Sequence, residues 1–392
     1  MSGMTDKGSS ARLLLLAIVA GTAMASNYVL QPVLPAVARS FPASPWITSL
    51  AAGAGPLGYM LGLVLLVPLG DGLPIRTLVT LQAIVLAAVL ALAAVTTIEP
   101  LFLAALLLGG MASTVTAHCV ALAGRVRPEA QGRAVGTVVM GVSAGILAGR
   151  VLSGALATSF GWRAPLAVIA GMILIGSVGI VLAMPAIPAS GTRMRVRDLL
   201  LAVPRAHNSN PELRRATLVG CCWFAAFSSF WTALSLHLSL PPLSKGAAFA
   251  GGFGLIGIAG AIVAQLAGRA SDHWGARRVV FTGLGGALVG FVILCLWPTS
   301  LVGLAVGALV MDAGCFGAHA ATQGYILRTG GDERSRRYSA YMTVYWSAGA
   351  LGSFAAPALF QAGGWLTLNL ANAVLIACGM TLHARRHQLD RA

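Results

Sequence analysis

Two opposite charges stand inside long apolar runs of this 392-residue chain, Arg150 and Asp312. Ionisable side chains at membrane depth are costly to keep, which makes each a functional candidate by default. His319 and Gln323 follow Asp312 at seven and eleven residues. At 100° per residue both return to within about 20° of it, so the spacing predicts a polar stripe along one helix face. A carboxyl group in low dielectric takes up a proton more readily than one in water, so such a stripe suits a proton relay. Asp312 is the expected proton-coupling residue, with Arg150 and His319 sharing that role. The competing reading is an Asp312–Arg150 ion pair that holds helices together, since buried pairs are often structural. A pair broken by protonation would combine the two.

A second set of candidates carries no charge. Phe224, Phe227, Ser228, Trp231 and Ser235 recur at helical spacing and make an aromatic and hydroxyl face, while Asn27 and Gln31 are four apart and so share one side of a helix. With Gln323, the expected substrate-binding residues are Asn27, Gln31, Phe227, Ser228 and Trp231. Several rings, few charges and scattered hydrogen-bonding groups suit an amphipathic or weakly polar organic solute. His118 and His237 read as hydrogen-bonded packing residues, and Tyr338, Tyr341 and Tyr345 as packing. Six cysteines sit inside apolar runs without CxxC spacing, and His383 and His387 lie in an Arg-rich tail, so no metal site and no cofactor are expected.

These residues need helices long enough to cross a bilayer. The chain is 57% hydrophobic, adds 48 glycines, and is only 9% charged, against about 25% charged in soluble domains. That composition excludes a soluble fold. A ruler of about 20 apolar residues per span marks twelve runs, near 11–37, 45–70, 76–97, 99–124, 133–160, 162–186, 215–240, 246–270, 277–297, 299–328, 336–361 and 363–384. The excess of 26 basic over 11 acidic residues, +15, would suggest nucleic acid in a soluble chain. Of the 26, however, 22 fall on the even-numbered loops and the two termini, three (Arg39, Arg163, Lys245) on the opposite side, and Arg150 inside a span. The positive-inside rule therefore places both termini in the cytoplasm of a cell-membrane protein, and the surplus is a record of topology rather than of a nucleic-acid partner.

The runs form two groups of six, which predicts an all-α polytopic fold with bundles over 1–186 and 215–392 and a cytoplasmic linker over 187–214. Three landmarks repeat between the groups. Asp71 recurs as Asp272, Glu129 with Arg133 as Glu333 with Arg337, and Gly161-Trp162 as Gly364-Trp365, at offsets of 201, 204 and 203. Parallel repeats of this kind relate two bundles by an axis along the membrane normal.

The loops around Asp71 and Asp272 resemble the signature Gly-x-Leu-x-Asp-Arg-x-Gly-Arg-Arg of the major facilitator superfamily, and the resemblance covers essentially the whole chain. The second copy matches at Gly268, Asp272, Gly275, Arg277 and Arg278; the first matches at Leu69, Asp71 and Arg76 and departs at Val67, Gly72 and Pro74. The resemblance implies gating roles for Asp71, Arg76, Glu129, Arg133, Asp272, Arg277 and Arg278, and spans 1, 4, 7 and 10 around a central cavity. Gly136, Gly145, Gly149, Arg150, Ser153 and Gly154 are similar to the family's antiporter signature, with Arg150 in place of its Pro. Plain helix packing explains such glycines equally well. Asn27-Tyr28-Val-Leu-Gln31-Pro32-Val-Leu-Pro35 is similar to the same region in bacterial drug and sugar efflux members.

Two enzyme-like patterns are refused. Gly252-Phe-Gly254-Leu-Ile-Gly257 lies inside an apolar span with no strand before it, and Gly141-Val-Ser143-Ala-Gly145 has neither a strand nor a base. No Walker-type phosphate loop is present. The expectation is a monomeric, non-enzymatic, proton-coupled exporter of small organic compounds. A sugar exporter or a proton-linked uptake symporter is the alternative within transport, and a membrane sensor or membrane-embedded enzyme the alternative outside it.

Overall fold

The computed structural model describes residues 2–184, 196–329 and 333–384. They form helices α1 (Ser2–Ala25), α2 (Leu34–Ser40), α3 (Ile47–Leu65), α4 (Leu69–Gly72), α5 (Ile75–Val95), α6 (Glu99–Ala112), α7 (Val115–Val126), α8 (Gln131–Phe160) and α9 (Ala164–Ala183). After these come α10 (Val196–Ser209), α11 (Pro211–Ser239), α12 (Ala247–Gly252), α13 (Gly257–Trp274), α14 (Ala276–Leu296), α15 (Leu301–Thr329) and α16 (Arg334–Ala384). No strand occurs among the described residues.

Ten helical stretches among them are long and apolar enough to cross a membrane. The last, within α16, joins two helices across the non-helical Gly363 and Gly364, and Ser9–Ala25 adds a shorter apolar helix. One doubled stretch and one short helix bring ten to the twelve runs expected. Large apolar side chains such as Ile175, Phe160, Val302 and Leu182, 72–80% exposed, point away from the protein. Such a surface is satisfied by hydrocarbon, and the described spans are helical apart from short breaks, as a bilayer requires.

The chain folds as two compact units, one of residues 1–47 with 54–196 and the other of residues 48–53 with 197–392. The linker expected over 187–214 contains a helix of its own, α10, and α11 starts at Pro211. The Asn210 side chain accepts from the Leu213 amide at 2.9 Å, and Pro211 fills the first helical position. Both features favour initiation there.

In the first unit α1 and α8 touch backbone to backbone. A Cβ on Gly145 would lie 2.1 Å from the Gly21 carbonyl oxygen, one on Gly141 2.6 Å from that of Ala17, and one on Gly149 2.7 Å from the Ala25 methyl. Small residues four apart on both helices allow this approach, which is the usual route to tight packing where lipid supplies no hydrophobic drive. The second unit has the corresponding seam, with Gly352 of α16 against the Ala225 backbone of α11. The repeated Gly-Trp turns also agree: Gly161 and Gly364 have φ of 84° and 69°, left-handed values that glycine reaches without strain. Each following Trp is buried with its indole N–H bonded within its own unit, Trp162 to the Ser40 hydroxyl at 2.8 Å and Trp365 to the Leu294 carbonyl at 3.0 Å.

Candidate functional site

Polar groups in the first unit gather where two spans lose α-helical geometry. After Ala25 the chain tightens through i→i−3 bonds, from the amide of Asn27 to Met24, Tyr28 to Ala25, and Gln31 to Tyr28. A 3₁₀ turn over Gln31–Val33, with Pro32 at its start, leads into α2. This corrects the expectation that Asn27 and Gln31 share one side. Three residues per turn replaces 3.6, so positions four apart diverge. Asn27 donates to the Ser113 hydroxyl at 2.8 Å, and Ser113 donates to the Gly110 carbonyl at 2.7 Å. Ser113 and Thr114 lie in the break between α6 and α7, so Asn27 joins the two interruptions.

Gln31 turns to Arg150. The Arg150 Nε donates to the Gln31 side-chain oxygen at 2.8 Å, and its guanidinium carbon lies 4.8 Å from the centre of the Tyr28 ring. One turn on, Ser153 donates to the Val29 carbonyl. Arg150 is only 3% exposed. A planar cation held by an amide and an aromatic face is fixed in direction as well as position, which an ammonium on a flexible stem would not be. The Arg that replaces the signature proline therefore locks α8 to the broken part of the first span.

In the second unit Asp312 is 1% exposed on α15. Its carboxylate occupies space opened by Gly260 of α13, where a Cβ would fall 2.1 Å from Oδ2 and 2.9 Å from the Phe316 ring. His319 stacks on Tyr345 of α16 with centroids 5.0 Å apart and meets Trp223 of α11 edge-on at 5.1 Å. Gln323 donates to the Tyr338 hydroxyl at 2.9 Å. The stripe along α15 thus exists as a sequence register, while its three members face three different neighbours.

Phe227 meets Phe316 at 5.6 Å and Trp231 at 6.2 Å, and Ser228, Trp231 and Ser235 are buried beside it. Tyr345, expected only to pack, is central here: its ring stacks on Phe224 at 3.9 Å and on His319. Its spacing with Tyr338 and Tyr341 carries the signal, but nothing in the sequence says that this face meets α11 and α15. His118, by contrast, is held between the Gln82 side-chain oxygen at 2.8 Å and the Val67 carbonyl at 3.1 Å, and His237 bonds the Pro298 carbonyl at 2.7 Å.

The expected gating residues make ties inside their own units. Arg76, at the start of α5, donates to the Val181 carbonyl near the end of α9; Arg277, at the start of α14, donates to the Ala384 carbonyl at the end of α16. Arg277 lies 201 positions after Arg76 and Ala384 lies 203 after Val181, so the repeat extends to these contacts. Asp272 pairs with Arg328 at 2.8 Å with both side chains more than half exposed. Arg328 is a partner that no motif in the sequence singles out. Glu129 pairs with Arg127 at 3.7 Å, and Glu333 with Arg336 and Arg337 at 3.6 and 3.3 Å. Arg133 and Arg278 are exposed. The Asp71 side chain and linker residues 185–195 lie outside the described residues, as do Arg385, Arg386, His387 and Arg391.

The family model described as Major Facilitator Superfamily matches residues 16–269 and 218–390. Among curated proteins, the "Uncharacterized transporter YgaY" of Escherichia coli O157:H7 is 34% identical over 94% of this chain and 93% of its own length. The "Probable transporter SCO4007" of Streptomyces coelicolor is 31% identical, over 93% of this chain and 85% of its own. Among solved structures, an inward-facing, occupied bacterial homologue of the human lysosomal transporter Spinster superposes with TM-score 0.78 at 12% identity, over 97% of both chains. The nucleoside transporter NupG superposes with TM-score 0.77 at 12% identity, over 95% of this chain and 98% of its own. At those identities the likeness concerns the fold.

Proposed function

Because the chain belongs to the major facilitator superfamily and is a multi-pass membrane transporter, we propose that it couples proton movement to export of small amphipathic organic compounds across the cell membrane. Asp312 is the proton-binding group. The observation that carries this reading is a carboxylate 1% exposed on a spanning helix, in space left by Gly260. A group so placed is expensive to keep charged and is seldom retained without a task.

In this mechanism the two bundles act in a monomer, with both termini cytoplasmic, and rock about a midplane site. Proton binding to Asp312 discharges the carboxylate and permits the return step; proton release restores the charge. Arg150, oriented by Gln31 and Tyr28, supplies the fixed positive charge of the first unit. In the second unit the ring cluster around Phe227, Trp231 and Tyr345 supplies the apolar wall against which a solute would lie, and Ser228 and Gln323 its polar contacts; Asn27 and Gln31 are the polar candidates of the first unit. The charges at the span ends, Asp71, Arg76, Glu129, Arg133, Asp272, Arg277 and Arg278, gate the cytoplasmic side.

The test is transport into and out of liposomes under an imposed pH gradient, screened over amphipathic cations, anions and neutral solutes. Gradient-driven movement of at least one solute, abolished in Asp312→Asn with exchange down the solute's own gradient retained, is the expected result. Unaltered coupling in a folded Asp312→Asn protein would overturn the assignment.

A further inference from the structure

A pocket in the second unit lies outside the groups invoked for proton and solute binding and shares one residue, Arg277, with the proposed gating set. It opens at one end of the bundle, where α11 and α14 begin and α15 and α16 finish. These are the ends of membrane-spanning helices, so the pocket stands at the boundary between hydrocarbon and water. Its polar lining includes Arg215, Arg277, Glu212 and Tyr325. Val219, Val280 and Leu382 provide an apolar wall.

Arginines at span ends normally run their stems along apolar surface and carry the head out to water. Arg214 and Arg278 do reach out and are exposed, whereas their sequence neighbours Arg215 and Arg277 are only half-exposed and line the pocket. The Tyr325 hydroxyl donates to Glu212, which ties that carboxylate to the wall. With the His383 imidazole, which also lines the pocket and bonds the Arg277 carbonyl, counted as neutral, two guanidinium groups against one carboxylate leave the pocket with one positive charge. A phosphodiester carries one negative charge, offers oxygens that guanidinium forks match, and in a phospholipid arrives with glyceryl and acyl groups suited to an apolar wall. Inorganic phosphate has no part that would use Val219, Val280 or Leu382.

We propose that this pocket, built by Arg215 and Arg277 over Val219, Val280 and Leu382, holds the headgroup of an anionic phospholipid. The site is independent of which solute the protein carries.

The test is lipid binding to the purified full-length protein, read by native mass spectrometry with phosphatidylglycerol, phosphatidylcholine and inorganic phosphate as separate probes. Phosphatidylglycerol should bind at least tenfold more tightly than phosphatidylcholine. The double variant Arg215→Gln, Arg277→Gln should weaken it by tenfold or more, since each basic group near an anionic lipid is worth about fivefold. The control double variant Arg214→Gln, Arg278→Gln removes the same charge from exposed positions and should change it less than twofold. Glu212→Gln should tighten it. If the first double variant does not fold, Arg215→Lys, which keeps the charge but loses the fork, should still weaken binding two- to fivefold. Equal losses from both double variants, equal binding of the two lipids, an unchanged Arg215→Lys, or saturation by inorganic phosphate at the affinity of phosphatidylglycerol would each overturn the proposal.

Discussion

At Gly260 a single hydrogen in place of a methyl group decides whether Asp312 fits. A Cβ there would stand 2.1 Å from a carboxylate oxygen, so Gly260→Ala must push Asp312 off its position or move α13. Gly260→Ala is expected to lower pH-driven transport at least tenfold while leaving the far end of the same helix intact, which liposome flux and thermal unfolding together would reveal. Arg150→Lys keeps the charge and loses the planar group that bonds Gln31 and lies over Tyr28. Coupled transport should fall, and because the same contacts hold α8 to the first span the unfolding temperature should fall with it. Asp272→Asn is different in kind. Its pair with Arg328 is exposed, and such pairs contribute about 0–1 kcal/mol. Unfolding should scarcely shift, so a large loss of transport in that variant would mark a gating function rather than a structural one.

Helix against helix, the α1–α8 seam sets the most exacting condition. Gly145→Ala places a methyl within 2.1 Å of the Gly21 carbonyl, backbone that cannot rotate away, and overpacking of this sort costs about 1–3 kcal/mol. A Cβ at Gly136 on the same helix meets nothing within 4 Å. Thermal unfolding in detergent should therefore show Gly145→Ala lowered by several degrees and Gly136→Ala unmoved; equal behaviour would sink the packing account. The contrast also shows what is legible in the residues alone. Hydrophobic length locates the twelve runs, because a bilayer imposes a fixed length. The glycines of α8 are visible too, though Gly141, a member of the seam, stands out in sequence only within a false serine motif. The interruption at 26–33 has a mark in the sequence, Pro32 and Pro35, which lack the amide hydrogen a helix needs, whereas that at 113–114 has none. What they bond to, Ser113 for Asn27 and Gln31 for Arg150, depends on tertiary neighbours, and helical spacing carries no trace of it. The same limit hides Tyr345 and Arg328, whose importance arises from neighbours distant in sequence.

Across the whole molecule the repeat governs more than composition. Loop aspartates, Gly-Trp turns, glycine seams and the Arg-to-carbonyl ties all recur between the halves. Single cysteines introduced into a background lacking the six native ones offer a check on topology. Positions beside Arg39, Arg163 and Lys245 should react with a membrane-impermeant thiol reagent added outside intact cells, and positions beside Arg205 and Arg328 only after permeabilisation. The opposite pattern would invert the orientation. One of the recurring ties has a mechanical side. Arg76 grips the carbonyl of Val181, in the final turn of α9 before the stretch that joins the halves. The carbonyls of that turn lie beyond the reach of the helix's own amides, which makes it the least secured part of any helix. The clasp moors it to the root of α5, so this end of α9 is fastened from outside rather than left to fray.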